Sequence, residues 1–305
     1  MHDMLDIIPE IRGALADGAA IVALESTIVT HGMPWPDNVA TARAVEAAAR
    51  AAGAVPATIA IIGGRIKIGL NGDELDGLGQ ARDVLKLSRA DLAYGLSSRR
   101  VGATTVAATM ICAALAGIKV FATGGIGGVH RGAEASFDIS ADLEELARTD
   151  VTVVCAGAKA LLDLPKTLEY LETKGVPVVC YGVDRFPAFW SRISDLPAPI
   201  RLDCAADIAA MIRMRHGLQL AGGVLIANPV PVDDEIPWAE IQPAVEAALA
   251  EAARQQIGGK AVTPFLLRRI FELTGGRSLK ANVALVKNNA RLAAEIAREM
   301  GRRHS

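Results

Sequence analysis

Short apolar runs alternate with longer helical patterns along the chain, and this alternation limits the folds that the chain can adopt. The runs are residues 19–24, 56–62, 119–122, 151–155, 176–181 and 223–227. Strands without polar alternation are typical of parallel sheets that helices cover on both faces. Since only 4% of the residues are aromatic, aliphatic side chains must fill the core, which suits alanine-rich helices. We therefore expect a layered α/β/α fold with a mainly parallel central sheet.

Local patterns predict several individual elements. Gly63-Gly64 indicates a hairpin between the second apolar run and residues 65–69. Asp37 or Asn38 is expected to cap a helix that extends to about Ala52. Other predicted elements are a basic loop at 85–92, a helix of small residues at 102–117, a helix beginning near residue 159, and helices at about 205–217, 237–255, 263–274 and 280–302.

Global features suggest a single domain that spans residues 1–305, since no repeat, linker or charge run divides the chain. The net charge of −2 argues against a general nucleic-acid binder. The four cysteines have no CxxC spacing, so we expect buried reduced thiols. Without a basic leader, or an apolar run of about 20 residues, we expect a cytoplasmic protein and no membrane partner.

Residues 121–143 have the composition of a site that holds an anion beside a cation. A predicted strand leads into four glycines, whose backbone N–H groups can approach phosphate oxygens: Gly124, Gly125, Gly127 and Gly128. The spacing is not GxGxxG, so a nicotinamide cofactor is not expected. Asp138 and Asp142 suit a metal carboxylate and a hydroxyl acceptor. Ser140 followed by acidic residues is equally typical of a helix cap.

Two further strand ends carry candidate reactive groups. Lys159 follows a buried strand near Gly157, where a helix start would favour the neutral amine that attacks a sugar carbon; a surface lysine is an equal alternative. Glu25 follows an apolar strand and could act as a general acid, or could be an exposed loop carboxylate. Lys86 and Arg89 could contact phosphate or belong to a solvated loop. His31 and His130 are typical of loop histidines that hydrogen-bond to backbone.

Nine segments in chain order carry the motifs of one known family. They are residues 23–38 (ALESTIVTHGMPWPDN), 59–70, 86–92, 102–110 (GATTVAATM), 121–143, 154–182, 186–192 (FPAFWSR), 225–231 and 276–297. Together they closely resemble the pseudouridine-5′-phosphate glycosidase family in its stand-alone form, without a fused sugar kinase. The resemblance covers nearly the whole chain, so it is more specific than any single motif.

The resemblance implies reversible cleavage of pseudouridine 5′-phosphate to uracil and ribose 5-phosphate, with degradation of pseudouridine as the cellular direction. It also implies a homotrimer and a bound divalent metal ion, usually manganese. By motif position it implies Lys159 as nucleophile, Glu25 as proton donor and Asp138 as metal ligand. It places substrate contacts at Lys86, Val106, Ser140, Ala141 and Asp142.

The hypothesis for the chemistry is a Schiff base (imine) between Lys159 and C1′ of the opened ribose, while Glu25 moves protons. A lysine-dependent phosphosugar aldolase, a nucleotide N-ribosidase and a non-catalytic nucleotide-binding regulator remain alternatives. Asn289 and residues 186–192 are guesses for contacts to the uracil ring.

Overall fold

The computed structural model describes residues 4–302, except for the side chain of Lys260. Its strands are β1 Leu5–Ile7, β2 Ile21–Leu24, β3 Val55–Ile62, β4 Arg65–Ile68, β5 Leu85–Leu87, β6 Gly102–Thr104, β7 Val120–Ala122, β8 Thr152–Cys155, β9 Val178–Tyr181, β10 Ile200–Leu202 and β11 Val224–Ala227. Its α-helices are α1 Pro9–Ala16, α2 Asp37–Ala51, α3 Gly72–Gln80, α4 Leu92–Ser97, α5 Val106–Leu115, α6 Ala133–Ser136, α7 Ala141–Arg148, α8 Leu164–Thr173, α9 Ala205–Gly217, α10 Trp238–Arg254, α11 Val262–Leu273 and α12 Arg277–Gly301.

The strands form one sheet in the order β1-β4-β3-β2-β7-β8-β11-β9-β10, with β6 on β3 and β5 on β6. From β3 through β2 to β10 every pairing is parallel. The first half of β3 pairs with β2, whereas its second half turns back through Gly63-Gly64 and pairs antiparallel with β4. The predicted fold class and the predicted hairpin are therefore confirmed.

The central strands are buried along their whole length because helices cover the sheet. Helix α12 packs across β2, β7 and β8 and contacts α2 and α9. Its buried positions include five alanines, which allow close approach to the sheet: Ala281, Ala290, Ala293, Ala294 and Ala297. Helix α5 contacts β2, β3 and β7 and packs against α7. The predicted helices at 205–217, 237–255, 263–274 and 280–302 are confirmed as α9 to α12.

The prediction that Asp37 or Asn38 caps α2 is wrong. Pro36 occupies the cap position, and no side chain caps that helix. The Asn38 amide instead donates to the carbonyl oxygens of Val29 at 2.6 Å and Gly79 at 2.9 Å. Asn38 therefore ties the loop before α2 to the end of α3.

Three-residue strands were missed where the sequence predicted loop or helix. Lys86 lies in β5 and not in a loop, and residues 102–104 form β6 before α5 begins. The two strands pair in parallel, Lys86 with Ala103. Three residues are too few to show a period of two, so the small residues of β6 could not be separated from the helix that follows.

Two further predictions concern the burial of the cysteines and the lack of a membrane-spanning segment. Cys112, Cys155 and Cys180 are buried and free, and burial raises the pKa of each thiol to about 12. Cys204 is also free but exposed, so the prediction of four buried thiols is wrong there. Within residues 4–302, no helix is both long and apolar enough to cross a membrane.

Candidate active site

The carboxyl ends of β2, β7 and β8 open onto one cavity of about 460 Å³. Carboxyl ends of parallel strands meet at one edge of a sheet, and ligands of open α/β sheets bind there. All eight predicted site residues line this cavity: Glu25, Lys86, Val106, Asp138, Ser140, Ala141, Asp142 and Lys159. The volume lies in the range of about 300–1,000 Å³ that is typical of small-molecule sites. The structure thus brings together groups that lie up to 134 positions apart, from 25 to 159.

Glu25 is the first residue beyond β2, and two threonine hydroxyls fix its carboxylate. Thr27 donates to Oε2 and Thr123 donates to Oε1. Thr123 is the first residue beyond β7, the neighbour of β2, so the sheet itself sets this contact. Because both oxygens accept a hydrogen bond, the carboxylate is held in one orientation at the cavity.

Lys159 is positioned by strand-like backbone and not by a helix. Its N–H donates to the Ile126 carbonyl at 3.1 Å, in a bridge that extends the pairing of β7 with β8. Gly157 precedes it with φ +88°, where a Cβ would collide with the Pro187 carbonyl. Because α8 begins only at Leu164, the predicted helix start at Lys159 is wrong. Among the described residues, its Nζ has no hydrogen bond or ion pair, so the amine can react with a ligand.

Asp142 joins three elements of the cavity wall. Its Oδ1 accepts the Ala107 N–H at 3.0 Å, and its Oδ2 accepts the Gly127 N–H at 2.8 Å. Gly127 must be glycine because a Cβ there would overlap the side chains of Ser140 and Asp142. The expectation that the N–H groups of all four glycines face phosphate is therefore wrong at Gly127. Each carboxylate oxygen keeps a free lone pair that can accept from a ligand hydroxyl.

Two helix N-termini meet at the same wall. Thr105 caps α5, which begins at Val106, and Ser140 caps α7, which begins at Ala141. The predicted helix cap at Ser140 is confirmed, and the residue also lines the cavity. The side chains of Asp142, Thr105 and Ser140 already accept one N–H group each at these helix starts. The helix dipoles still favour an anion at the two ends. Lys86 adds a cation to this wall.

Burial lowers the pKa of the two cavity histidines, His31 and His130, below the ordinary value of 6.5. Desolvation is the largest cause in both. The charge of Lys86 lowers both values further, while Asp138 raises that of His130. The two imidazoles are therefore neutral donors or acceptors near pH 7.

We expect both histidine rings to titrate below pH 6.5 in an NMR titration of the folded protein. Their folded-state pKa lies below the unfolded one, so the folded state binds fewer protons and loses stability as the pH falls through 6.5. His31→Asn and His130→Asn variants assign the two signals. A midpoint at or above 6.5 for either ring would contradict the burial that the structure shows.

Arg89 does not contact the cavity, so its predicted phosphate contact is wrong. Its Nε and Nη2 instead donate to the two carboxylate oxygens of Glu145 at 2.6 and 2.8 Å. Glu145 is 0% exposed, and Thr149 also donates to it. The pair joins the turn after β5 to α7.

Replacing Arg89 by alanine should lower the free energy of unfolding by about 2 kcal/mol or more, because it leaves a buried carboxylate without its cation. The Michaelis constant should stay within about two-fold. Urea denaturation and steady-state kinetics measure the two effects. Arg43→Ala, which removes an exposed pair with Asp76, is the control and should cost at most about 1 kcal/mol. A raised Michaelis constant with unchanged stability would restore the phosphate role.

Asp138 is half-exposed and lies 3.9 Å from His130, measured between Oδ2 and Nδ1. Residues 4–302 contain no cluster of three histidine, cysteine, aspartate or glutamate side chains placed to hold a metal. A single carboxylate at a cavity wall still fits a water-rich magnesium or manganese ion, because such ions keep several water ligands. The metal at Asp138 stays a prediction.

Other cavity residues were missed or misplaced by sequence reasoning. Thr27 and Thr123 hold Glu25, and spacing could have indicated Thr27, which lies two residues after it. Asn289 is 0% exposed and donates to the Thr123 carbonyl at 2.8 Å, so it supports the site from behind and does not line it. Of residues 186–192, Phe189 lines the cavity. The start of α11 forms the opposite wall through Thr263, Pro264 and Leu267, for which no sequence motif gives a signal.

Comparisons with known proteins identify the family of this chain. Residues 10–299 match the family model described as indigoidine synthase A like protein. A pseudouridine-5′-phosphate glycosidase of Methylobacterium nodulans is 66% identical, covering 97% of this chain and 88% of that protein. One from Solibacter usitatus is 64% identical, covering 97% and 99%.

Two solved structures share the fold over nearly their whole length. The prealnumycin C-glycosynthase AlnA, in complex with ribulose 5-phosphate, has a TM-score of 0.90 and 38% identity, with 98% of this chain and 97% of that chain covered. An indigoidine synthase A-like protein of Thermotoga maritima has a TM-score of 0.89 and 33% identity, with 99% of each covered. The chain therefore belongs to the pseudouridine-5′-phosphate glycosidase family and is an enzyme of that family.

Proposed function

We propose that this enzyme cleaves the C–C glycosidic bond of pseudouridine 5′-phosphate to give uracil and ribose 5-phosphate, and that it acts in pseudouridine degradation. The observation that carries the proposal is the convergence of Lys159 and Glu25 on the cavity whose other wall attracts anions. Relatives that are 60–66% identical carry that activity in their names. The phosphosugar bound to AlnA supports a phosphosugar ligand.

Lys159 serves as the nucleophile because a uracil carbon is a poor leaving group for water attack. Its amine bonds to C1′ as the C1′–O4′ bond breaks, and O4′ takes a proton. The nitrogen lone pair then forms C1′=N as the bond from C1′ to uracil C5 breaks, and C5 takes a proton. Water adds to the imine and releases ribose 5-phosphate and the amine.

Glu25 moves the protons of these steps as general acid and base. It gives a proton to O4′, recovers one from the nitrogen adduct, and gives it to C5. Hydrolysis of the protonated imine then releases one proton, which returns Glu25 to its starting form. Thr27 and Thr123 keep the carboxylate aimed at the cavity through these transfers. Paired carboxylates of an ordinary glycosidase are not needed, because the lysine nitrogen replaces the second carboxylate.

The remaining wall binds the sugar phosphate. The N-termini of α5 and α7 with Lys86 attract the phosphate, and Asp142 accepts from a ribose hydroxyl. A manganese ion on Asp138, when bound, would supply positive charge for the phosphate. The homotrimer and the cytoplasmic location remain predictions that the resemblance and the sequence suggest.

Incubation of the purified protein with pseudouridine 5′-phosphate tests the proposal. We expect the protein to release uracil without an added partner, as measured by chromatography. We also expect it to form pseudouridine 5′-phosphate when uracil and ribose 5-phosphate are supplied. Uridine 5′-phosphate, which carries a C–N bond, is the control for an N-ribosidase. Cleavage of uridine 5′-phosphate but not of pseudouridine 5′-phosphate would contradict the proposal and favour an N-ribosidase. Binding of pseudouridine 5′-phosphate without turnover would contradict it and favour a regulator.

C-glycoside synthesis is a second candidate, because the structural relative AlnA is named a C-glycosynthase. Its identity of 38% is well below the 66% of the first glycosidase relative. The ratio of forward to reverse rates with uracil as the acceptor distinguishes the two directions.

A further inference from the structure

Asn289 is a buried polar side chain on the inner face of α12, and the reaction proposed above does not use it. It is 0% exposed, and Leu285 and Val286, one turn earlier on the same helix, are apolar and buried. A buried amide costs free energy unless its donor and acceptor atoms are paired. The presence of an asparagine among these apolar residues is therefore explained by its hydrogen-bond partners and not by packing.

The Asn289 amide holds the backbone just beyond β7. Its Nδ2 donates to the Thr123 carbonyl at 2.8 Å and, over a longer 3.4 Å, to the Gly124 carbonyl. Because β7 ends at Ala122, both carbonyls belong to the segment in which the strand becomes the glycine-rich loop. The hydroxyl of Thr123 donates to Oε1 of Glu25. Asn289 therefore fixes the backbone of the residue that holds the proposed general acid.

Asn228 fixes the Asn289 amide in turn. It is 4% exposed and directly follows β11, and its Nδ2 donates to Oδ1 of Asn289 at 3.0 Å. Its backbone N–H donates to the Cys155 carbonyl at the end of β8, at 2.7 Å. A carbonyl can only accept, so the Asn289 nitrogen must face Thr123, which leaves the Asn289 oxygen for Asn228. The two asparagines thus join the carboxyl ends of β7, β8 and β11.

The two threonines that hold Glu25 differ in what they are attached to. Thr27 lies two residues after Glu25, so its hydrogen bond fixes the carboxylate only relative to the turn that carries both. Thr123 follows the neighbouring strand, so its hydrogen bond fixes the carboxylate relative to the sheet. A shift of the Thr123 backbone would therefore move the carboxylate relative to Lys159, which follows β8.

We propose that Asn289, supported by Asn228, is a positioning residue that acts on catalysis through Thr123. Its hydrogen bond to the Thr123 carbonyl keeps the threonine hydroxyl where it holds Glu25 for the proton transfers to O4′ and C5. Neither asparagine touches the substrate. The inference rests on the proposed function, in which Glu25 carries those protons.

Replacing Asn289 by alanine tests the role in the purified enzyme. We expect kcat for pseudouridine 5′-phosphate to fall by about ten-fold, a part of the 10²- to 10⁴-fold that a general acid contributes. KM should stay within about two-fold, because the change affects the reaction path and not ground-state binding. Asn288→Ala is the matched control, since this neighbouring asparagine of α12 donates to the Pro229 carbonyl at 3.1 Å, and it should keep wild-type kcat. Wild-type kcat in Asn289→Ala, or a loss in KM alone, would overturn the inference.

A double-mutant cycle with Thr123→Val separates positioning through Thr123 from a general structural effect. Thr123→Val removes the hydroxyl that Asn289 positions, so it should lower kcat at least as much as Asn289→Ala does. In that background Asn289→Ala should change kcat by less than about two-fold, because residues that act through one contact are not additive. A further ten-fold loss in the double variant would overturn the inference, since Asn289 would then act without Thr123.

Asn228→Ala gives an answer even if Asn289→Ala does not fold. It leaves the Asn289 donor in place but removes its support, so we expect a smaller loss in kcat, about three-fold, that is absent in the Thr123→Val background. Calorimetric titration with ribose 5-phosphate should give a wild-type dissociation constant in both alanine variants. Binding that weakens as much as kcat falls would overturn the inference, because it would indicate damage to the whole cavity. Absence of uracil release by the wild-type enzyme would instead overturn the proposed function and this role with it.

Discussion

Lys159→Ala should lower kcat for pseudouridine 5′-phosphate by about four orders of magnitude or more, while substrate still binds with a similar dissociation constant. Removal of a covalent nucleophile eliminates the route itself, and such losses reach about 10⁶-fold in other enzymes. Binding survives because the wall that attracts the phosphate is built from the starts of α5 and α7 and does not include Lys159. Single-turnover kinetics and calorimetric titration measure the two quantities.

Borohydride reduction with ribose 5-phosphate gives an independent measurement of the same nucleophile. The aldehyde at C1 should form an imine with Lys159, and reduction should leave a five-carbon phosphosugar on that residue, located by peptide mass spectrometry. Lys119→Ala is the matched control, since Lys119 pairs with Asp150 on the surface and lies just before β7, at the end of the sheet away from the cavity. An unmodified Lys159 in wild type, or near-normal turnover in Lys159→Ala, would exclude the imine.

The long elements could be predicted because each repeats its pattern over enough residues. Strand β3 has seven apolar residues among its eight before a double glycine, and α12 has a buried stripe along its 25 residues. The strand ends then follow from parallel topology, which is why Glu25 and Lys159 could be placed at one edge of the sheet from their positions in the chain.

Contacts between distant segments could not be predicted in the same way. Nothing next to Arg89 in the sequence indicates that its partner is Glu145, 56 positions away. The glycine-rich sequence predicts that the Gly127 N–H binds a ligand, since such loops often bind phosphate. In the structure this N–H donates to the Asp142 carboxylate. In both cases the residue types were right for an anion site, and tertiary packing decided that a protein carboxylate is the partner.

The contacts of Glu25 with its two threonines link the sequence of β2 and the pairing of the sheet to the orientation of one carboxylate. The apolar sequence of β2 places that strand in the core. Parallel pairing with β7 then brings Thr123 beside Glu25, and the turn after β2 brings Thr27 back to the same carboxylate. The sequence could indicate that Glu25 is special only through its place after the strand. The structure adds that both oxygens are held, so the orientation of the carboxylate is fixed before substrate binds.

Glu25→Gln should therefore lower kcat by about 10²- to 10⁴-fold, the usual contribution of a positioned general acid or base. The amide has nearly the same shape, and one of its two polar atoms still accepts from a threonine, so KM should change by less than about three-fold. A drop in kcat with constant KM indicates the loss of an interaction made only along the reaction path. Steady-state kinetics at saturating pseudouridine 5′-phosphate measure it.

The step that Glu25→Gln blocks can be identified by combining the variant with trapping. The amide that replaces the carboxyl cannot give a proton to O4′ or to C5, but ribose 5-phosphate already has an open-chain aldehyde form that needs neither transfer. Borohydride should therefore still attach ribose 5-phosphate to Lys159 in this variant, although pseudouridine 5′-phosphate is hardly cleaved. Glu10→Gln, at an exposed ion pair with Arg50, is the control and should behave as wild type. If Glu25→Gln instead abolished trapping together with cleavage, Glu25 would act on Lys159 itself, and its role would not be limited to the proton transfers to O4′ and C5.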